Sequence, residues 1–540
     1  MSIENAEQIP ITVAGSSTFG VWPKISLEKT YNMYLSDEWM IGFPGYKQVA
    51  LSAAPGEGRA LFRSVRGGFL LAVVGSAVYI LNQNISPTFV GTLSSSSGEV
   101  FIDENLAQQI CLVDGQKAYI YHYDVTNPTA IGTLTPQTLV DGLGGNPIIP
   151  NYVTFHSGYF LIASSPNSIN SFQWYAFFRN LSDATGQTIM WESTQTISTK
   201  PDDAIAVRRL PGRSNNVIVF GSSVCEVHTL TGEQIDKAAT GIYVRVSSYS
   251  IDNGCISVST IAASEETVVW LAVNESNSPV IMVTNGAETR PISTDGIDHL
   301  METIKFPEQS TAFFSRQNGH LFYQLTFFNP QDNLTLAYDF TTSKFFHLSD
   351  ENLNFHIARD VVYFNEQSYM ISLTNAAIYE IGDQFNTYIY SEDPTDIGLL
   401  IPRIRICNTI RKKDSSIFRC GLFTFWIEQG INNYFSESVC NGELITEITE
   451  QPIISESGLI MLAEFGSCNF IINAPAVDMS FSKTGNENFS NFVRRELQPM
   501  SHFRNQIRWH RIGQANELTV QLRFWNFNRM VVSNGVCEVY

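Results

Sequence analysis

The hydrophobic positions of this chain come in short paired runs rather than in helical stripes. Residues 215–232 (NNVIVFGSSVCEVHTLTG) show the unit. Val217, Ile218, Val219 and Phe220 form a β-branched and aromatic run of the kind that makes a buried strand. Gly221, Ser222 and Ser223 supply a tight turn. Val224, Val227 and Leu230 mark the returning strand, and Thr231-Gly232 ends it. Variants of this hairpin recur at residues 68–81, 108–124 (around Asp114-Gly115), 153–174, 267–284, 319–348 and 368–381. Their first strands start near 69, 108, 153, 216, 267, 320 and 368, at intervals of 39 to 63 residues. A hairpin repeated at that spacing cannot bury both faces alone. It predicts a β-propeller, whose blades take about 40–50 residues. Seven units are counted, and a six-bladed ring with one embellishment fits the same pattern.

The flanking regions read differently. Residues 1–50 carry no long period of either kind and are expected to be an extended N-terminal arm; the propeller is assigned to 51–400. Beyond Asp393-Pro394, residues 403–410, 421–427, 458–465, 469–472, 506–513 and 518–527 read as longer strands joined by polar segments. Residues 401–540 are therefore expected to form a β-sandwich-like domain. The whole chain is predicted to be all-β.

Composition narrows the class. The chain has 540 residues, 44% hydrophobic and 12% aromatic, enough for packed cores. Its formal charge of −19 is uneven: residues 401–540 hold 14 basic and 13 acidic side chains, while residues 1–400 hold 19 and 39. A net of −20 on the first part argues against tight binding to DNA or an anionic membrane. The first residues carry neither a basic nor an apolar segment of a secretory signal, and no apolar run reaches membrane-spanning length. Eight cysteines are scattered without a C-x-x-C pair and are expected to be buried free thiols.

A search for catalytic chemistry finds no constellation. Ser293-Thr294-Asp295-Gly296 approaches a sialidase box but reads as a turn, and Trp-Asp dipeptides are absent. Ser480 to Gly485 (SFSKTG) holds both Ser-x-x-Lys and Lys-Thr-Gly. In β-lactam-binding enzymes these two motifs lie far apart and supply different walls of the site, so here they read as coincidence. Asp295, Asp298 and His299 lack a third firm metal ligand and are read as a capped turn. Asn180, Asn274, Asn333 and Asn488 sit in N-x-Ser/Thr triplets, which carry no meaning without export. No phosphate loop or dinucleotide fingerprint occurs. The expectation is a protein without enzymatic activity, cofactor or metal.

Two basic runs stand out: Arg403, Arg405, Arg411, Lys412, Lys413 and Arg419, and then Arg494, Arg495, Arg504, Arg508 and Arg511 with Phe492, Phe503 and Trp509 interleaved. Arginine beside aromatics suits interface hot spots as well as nucleic acid. Arg411, Lys412, Lys413, Arg508 and Trp509 are the candidate interface residues, with a strand core as the other reading for Arg508 and Trp509.

Several patches carry a resemblance. The turn Phe220-Gly221-Ser222-Ser223 followed by Glu226 and Thr229-Leu230-Thr231-Gly232 resembles a stretch of the packaged-DNA stabilisation, or tail hub, proteins of short-tailed bacteriophages. Tyr31-Asn32-Met33 with Phe43-Pro44-Gly45, Leu336-Ala337-Tyr338-Asp339, residues 507–513 (IRWHRIG) and Leu522-Arg523-Phe524 resemble further landmarks in the family's order. The resemblance implies a homohexameric nozzle below the portal and its head-to-tail adaptor ring. Double-stranded DNA would pass through its lumen without sequence-specific binding. Such a hub would connect to a tail needle or distal tip and to tailspikes or tail fibres, in the virion tail, after assembly in the host cytoplasm. The other function class that suits an acidic propeller is a carbohydrate-binding or glycan-cleaving protein; a groove of exposed aromatics with paired carboxylates would mark it.

Overall fold

The computed structural model describes residues 7–18, 28–51, 54–126, 131–140, 146–178, 188–190, 193–231, 242–264, 266–273, 278–429, 475–484, 488–497, 504–525 and 529–540. The expected strands at 458–465 and 469–472 lie outside them, as do Asn180, Asn274, Phe503, Cys440 and Cys468. The chain divides into two compact units: Tyr46–Phe385 with Ile389–Gly398, and Met1–Gly45 with Asn386–Tyr388 and Leu399–Tyr540.

The first unit is a propeller of seven antiparallel blades among the described residues. Blade 1 is Gly58–Ser64, Phe69–Val74, Ala77–Leu81 and Pro87–Thr92; blade 2 is Phe101–Glu104, Gln109–Val113, Ala118–His122 and Thr133–Val140, with Thr188–Met190 added in parallel at its outer edge. Blade 3 is Pro150–His156, Tyr159–Ser164, Gln173–Phe178 and Ser193–Thr196; blade 4 is Ala206–Arg209, Asn216–Phe220, Cys225–Leu230 and Tyr243–Ile251. In blade 5 the inner strand is split into Gly254–Cys255 and Ala262–Ala263, before Val268–Val273, Pro279–Thr284 and Thr289–Pro291. Blade 6 is Ser310–Gln317, His320–Phe327, Leu334–Asp339 and Lys344–Leu348. Blade 7 is Ala358–Phe364, Gln367–Ser372 and Ile378–Gly382, completed by Gly45–Ala50 from the opposite end of the propeller sequence.

The repeat works because each blade hides its faces against its neighbours. Leu71, Val73 and Val78 of blade 1 pack with Ile110, Leu112 and Tyr121 of blade 2. Ile218 and Phe220 of blade 4 pack with Val268 and Trp270 of blade 5. Leu70 and Ala72, on the other face of blade 1, meet Ile371 and Ile378 of blade 7. Second strands are the most apolar (Phe69–Val74 is buried throughout), since they are paired on both sides and covered on both faces.

Among the described residues one α-helix interrupts the pattern, besides a single 3-10 turn at Val258–Thr260. Asp295–Thr303, expected as a turn, is α-helical: Ile297 and Met301, four residues apart, share its buried face, and Asp295 and Asp298 sit in the first turn where the helix dipole favours them.

The second unit is a sandwich of two sheets. One holds Glu7–Ile11, Met33–Ser36, Trp39–Gly42, Met530–Val539, Phe418–Gln429 and Arg504–Ala515. The other holds Lys29–Tyr31, Arg403–Ile406, Thr519–Trp525, Ala476–Ser482 and Val493–Glu496. Phe423, Phe425, Trp509, Met479, Leu522 and Phe524 fill the space between them. Of residues 1–50, read above as an extended arm, the described segments are therefore woven into sheets: Glu7–Ile11 pairs with Val539–Gly535 in register, and Lys29–Tyr31 with Ile406–Ile404. The reason is that each arm segment completes an apolar face, with Ile11, Val13, Met33 and Met40 in the sandwich core. The cysteines differ from expectation at one pair: Cys420 and Cys537, facing inward from adjacent strands, are disulfide-bonded. Cys111, Cys225, Cys255 and Cys407 are buried free thiols.

Candidate functional site

The five candidate interface residues do not form one patch. Arg411 is half-exposed and pairs with Glu517 at 2.9 Å; Lys413 is exposed and Lys412 half-buried beside it, just ahead of the turn in which Asp414 accepts from Ser416. Arg508 is exposed on strand Arg504–Ala515 and donates to Gln506. Trp509 points the other way. It is 2% exposed, its ring stacks on Phe423 and Phe425 at 5.8 Å, and its Nε1 donates to the Val493 carbonyl at 3.2 Å. Strand alternation gives the cause: Ile507 and Trp509 face the core while Arg508 and His510 face out, and an irregularity at Arg511 returns Ile512 to the core.

Two other members of the basic runs are also interior. Arg403 and Arg405 are buried. Arg405 donates to the carbonyls of Val13 (3.0 Å), Ser16 (2.8 Å) and Thr12 (2.9 Å), to Thr30 Oγ1 (3.0 Å), and to the Glu28 carboxylate. A Cβ on Gly15 would lie against this guanidinium, so glycine is required there by close approach. A sequence of alternating Arg and Ile reads as a basic surface; the structure makes it the anchor of the N-terminal segment.

The sandwich surface carries arginine–aromatic groupings instead. The Arg504 guanidinium lies 5.2 Å from the Trp426 ring centre and 5.5 Å from that of Trp39. Arg494 grips Asp478 through two hydrogen bonds (2.9 and 3.1 Å) and covers Trp525, whose Nε1 donates to the same carboxylate at 2.6 Å. These are the residue types that dominate hot spots. Arg494 and Arg504 were visible in the sequence as basic positions; their tryptophan partners lie far away in the chain.

In the propeller, charge concentrates along the axis. Inner-strand residues of all seven blades line a cavity of about 390 Å³ that holds Arg63, Glu99, Asp103, Arg208, Arg209, Arg359 and Asp360. Arg359 lies 3.8 Å from Glu99 and 4.0 Å from Glu57. Burial, then the nearby Glu99 charge, pushes the Asp360 carboxyl up to about 7; burial also raises that of Glu99. Asp103 ties blade 2 to blade 3, accepting from the Phe155 backbone at 2.6 Å and Thr154 Oγ1 at 3.1 Å. Among the described residues, no group of three or more His, Cys, Asp or Glu side chains is arranged to hold a metal.

The hairpin at 215–232 is braced by carboxylates rather than poised for chemistry. Asp202 accepts from the backbone N–H groups of Ser222 (3.1 Å), Ser223 (2.7 Å) and Val224 (3.0 Å), holding the turn. Glu226 is fully buried. Burial alone would raise its pKa, but hydrogen bonds with His228, Thr199 and Ser198 bring it down to about 2. Ser480 donates to the Ser490 carbonyl and Lys483 lies over the Phe481 ring, so that pair is structural. No helix among the described residues is long and apolar enough to cross a membrane.

Among solved structures, this chain is similar to virginiamycin B lyase from Staphylococcus aureus (10% identity, 62% of this chain and 98% of that one, TM-score 0.40). It is also similar to the WD40 β-propeller domain of Doa1 (9% identity, 63% and 97%, TM-score 0.34). Comparison with curated proteins gives no match. Residues 27–385 match the model of a phage-stabilisation family described as "Bacteriophage P22 Gp10, beta-propeller". With two thirds of its length inside that match, including every propeller blade, this chain belongs to the phage-stabilisation β-propeller family.

Proposed function

We propose that this protein is a structural subunit of a phage tail. Six copies form a hub or nozzle below the portal and its adaptor ring, extend the channel for DNA, and retain the packaged genome. The hub connects to the tail needle or distal tip and to the receptor-binding appendages. Family membership over residues 27–385 carries this reading. The charge of the chain supports it: like charge on the acidic region of residues 1–400 removes the counterion-release gain that makes proteins adhere to DNA, so DNA slides past. The reading assigns no catalytic step to any residue.

A head-to-tail ring lets every subunit offer both an acidic and a basic face. Arg411, Lys412 and Lys413, on the basic side of that division, are assigned to contacts between neighbours or with the adaptor. Electron microscopy of assembled tails tests the reading directly: a six-fold ring of this chain is expected, and a tail without one defeats it. The triple variant Arg411→Glu, Lys412→Glu, Lys413→Glu is expected to fold normally, because exposed charges contribute little to folding. It is also expected to assemble poorly, as read by ring yield in sedimentation. Normal ring yield removes these residues from the contact.

A further inference from the structure

The loops joining first to second strands in blades 3, 6 and 7 are the same two-residue turn, closed by His156↔Tyr159, Gln317↔His320 and Phe364↔Gln367 pairs. Both central residues take positive φ: Ser157 and Gly158 (49° and 95°), Asn318 and Gly319 (50° and 84°), Asn365 and Glu366 (46° and 64°). Blades 3 and 6 place glycine second, as the geometry prefers. Blade 7 places Glu366 there, in a left-handed conformation that costs an L-residue conformational free energy. Glu366 thus stands where the two sister turns carry no side chain.

Glu366 lines a cleft of about 610 Å³ between blades 6 and 7. The volume is within the roughly 300–1,000 Å³ usual for ligand clefts. Tyr363 lies at its edge, 58% exposed, its backbone fixed by a 3.0 Å hydrogen bond from Arg63 to its carbonyl. Phe314 adds a second aromatic wall. Across the cleft Asn318 donates to Asp383 at 3.1 Å, joining the two blades, and Arg316 stands on the same side. The lining thus combines two aromatic rings, planar hydrogen-bonding side chains, two carboxylates and one guanidinium.

That combination selects a ligand class. Two carboxylates against one arginine repel an anion, a cation would have to compete with Asn318 for Asp383 and with Arg316 nearby, and a purely apolar ligand would strand the polar walls without partners. A ligand with many hydroxyl donors and acceptors, flat C–H faces and no charge satisfies every wall. We propose that the cleft between blades 6 and 7 binds a neutral oligosaccharide, with Tyr363 as stacking platform and Glu366 as hydroxyl acceptor. This binding is a further function of the propeller and stands whether or not the chain forms a hexameric hub.

The test uses saturation-transfer NMR on the full chain with neutral tri- to hexasaccharides of glucose, galactose, mannose and rhamnose. At least one is expected to bind. Tyr363→Ala and Glu366→Gly are each expected to weaken that binding about 10-fold or more, the scale of one lost charge-assisted hydrogen bond or stacking contact. Glu366→Gly should meanwhile unfold at or above the wild-type temperature, because glycine relaxes the turn. Lost binding with retained stability separates a ligand role from a structural one. The proposal fails if no neutral saccharide binds at millimolar concentration, if a polyamine binds there in its place, or if both variants bind as well as wild type.

Discussion

The propeller and the sandwich are both antiparallel β, yet the chain builds them by opposite routes. Within a propeller blade, consecutive strands pair with the next in sequence, so most partners are a short turn away. The sandwich draws strands from both ends: Glu7 lies opposite Val539, Thr30 opposite Arg405 and Met40 opposite Val532. Local pairing asks only for a turn and two apolar runs. Distant pairing needs a device that selects the right partner, and in the sandwich that device is a buried cation. Arg405 meets the carbonyls of the N-terminal segment and the Glu28 carboxylate, whereas the propeller fixes its turns with carboxylates such as Asp202 and Glu226 that accept backbone N–H groups.

This contrast is open to direct attack. The largest effect is expected from Arg405→Met, which removes a buried hydrogen-bonding hub and leaves Glu28 without it; the sandwich should lose about 3–5 kcal/mol. Urea unfolding followed by fluorescence reads this. Trp39, Trp426, Trp509 and Trp525 report on the sandwich, Trp174 and Trp270 on the propeller. The sandwich signal should move to lower urea while the propeller signal stays; if the two move together, the distinction between local and distant assembly fails.

Next comes Glu226. Its folded pKa of about 2 lies below the ordinary value of 4.5, so its stabilisation is fully present above about pH 5. It is lost as pH falls from there towards 2, and integrates to about 3 kcal/mol. Acid titration of wild type and Glu226→Gln should show a shallower decline for the variant in that window. Equal slopes would show that another group governs the acid limb.

The smallest effect is expected from Asp202→Ala. The turn is open to solvent, water replaces part of the lost acceptor, and about 1–2 kcal/mol should go from the propeller. Hydrogen exchange at Ser222, Ser223 and Val224 should accelerate while Val217–Phe220 stays protected. Unchanged exchange at the three amides would remove Asp202 as the brace.

The same contrast explains what the sequence disclosed. Six of the seven expected hairpin starts coincide with second strands of blades, and the one near 153 falls on a first strand. Second strands are legible because both faces and both edges are covered, which demands a continuous apolar run. Outer strands such as Pro87–Thr92, half-exposed along their length, carry no such demand and escape notice. The closing strand Gly45–Ala50 reads as part of an extended arm because its partner, Ile378–Gly382, lies beyond any local window. Trp509 could have been assigned to the core from period-two alternation in residues 507–510 alone. Arg405 could not: only its contacts distinguish it from a solvated arginine. Glu366 carries no signal in the sequence; its place in the turn shows only when its backbone is compared with Gly158 and Gly319.

The pairing of Glu7–Ile11 with Met530–Val539 also sets a schedule for synthesis. The ribosome makes one strand early and its partner roughly 500 residues later. At about 5–20 residues per second, the roughly 500 residues between them occupy about 25–100 s. Blades 1 to 6 form their hairpins as they emerge, and the ring closes once Ile378–Gly382 reaches the waiting Gly45–Ala50. The sandwich stays open through all of that interval, its edges unpaired, until Met530–Val539 leaves the exit tunnel. A chain cut short before that strand is therefore expected to carry a finished propeller beside an unfinished sandwich, in which Glu7–Ile11, Trp39–Gly42 and Phe418–Gln429 all lack a partner strand.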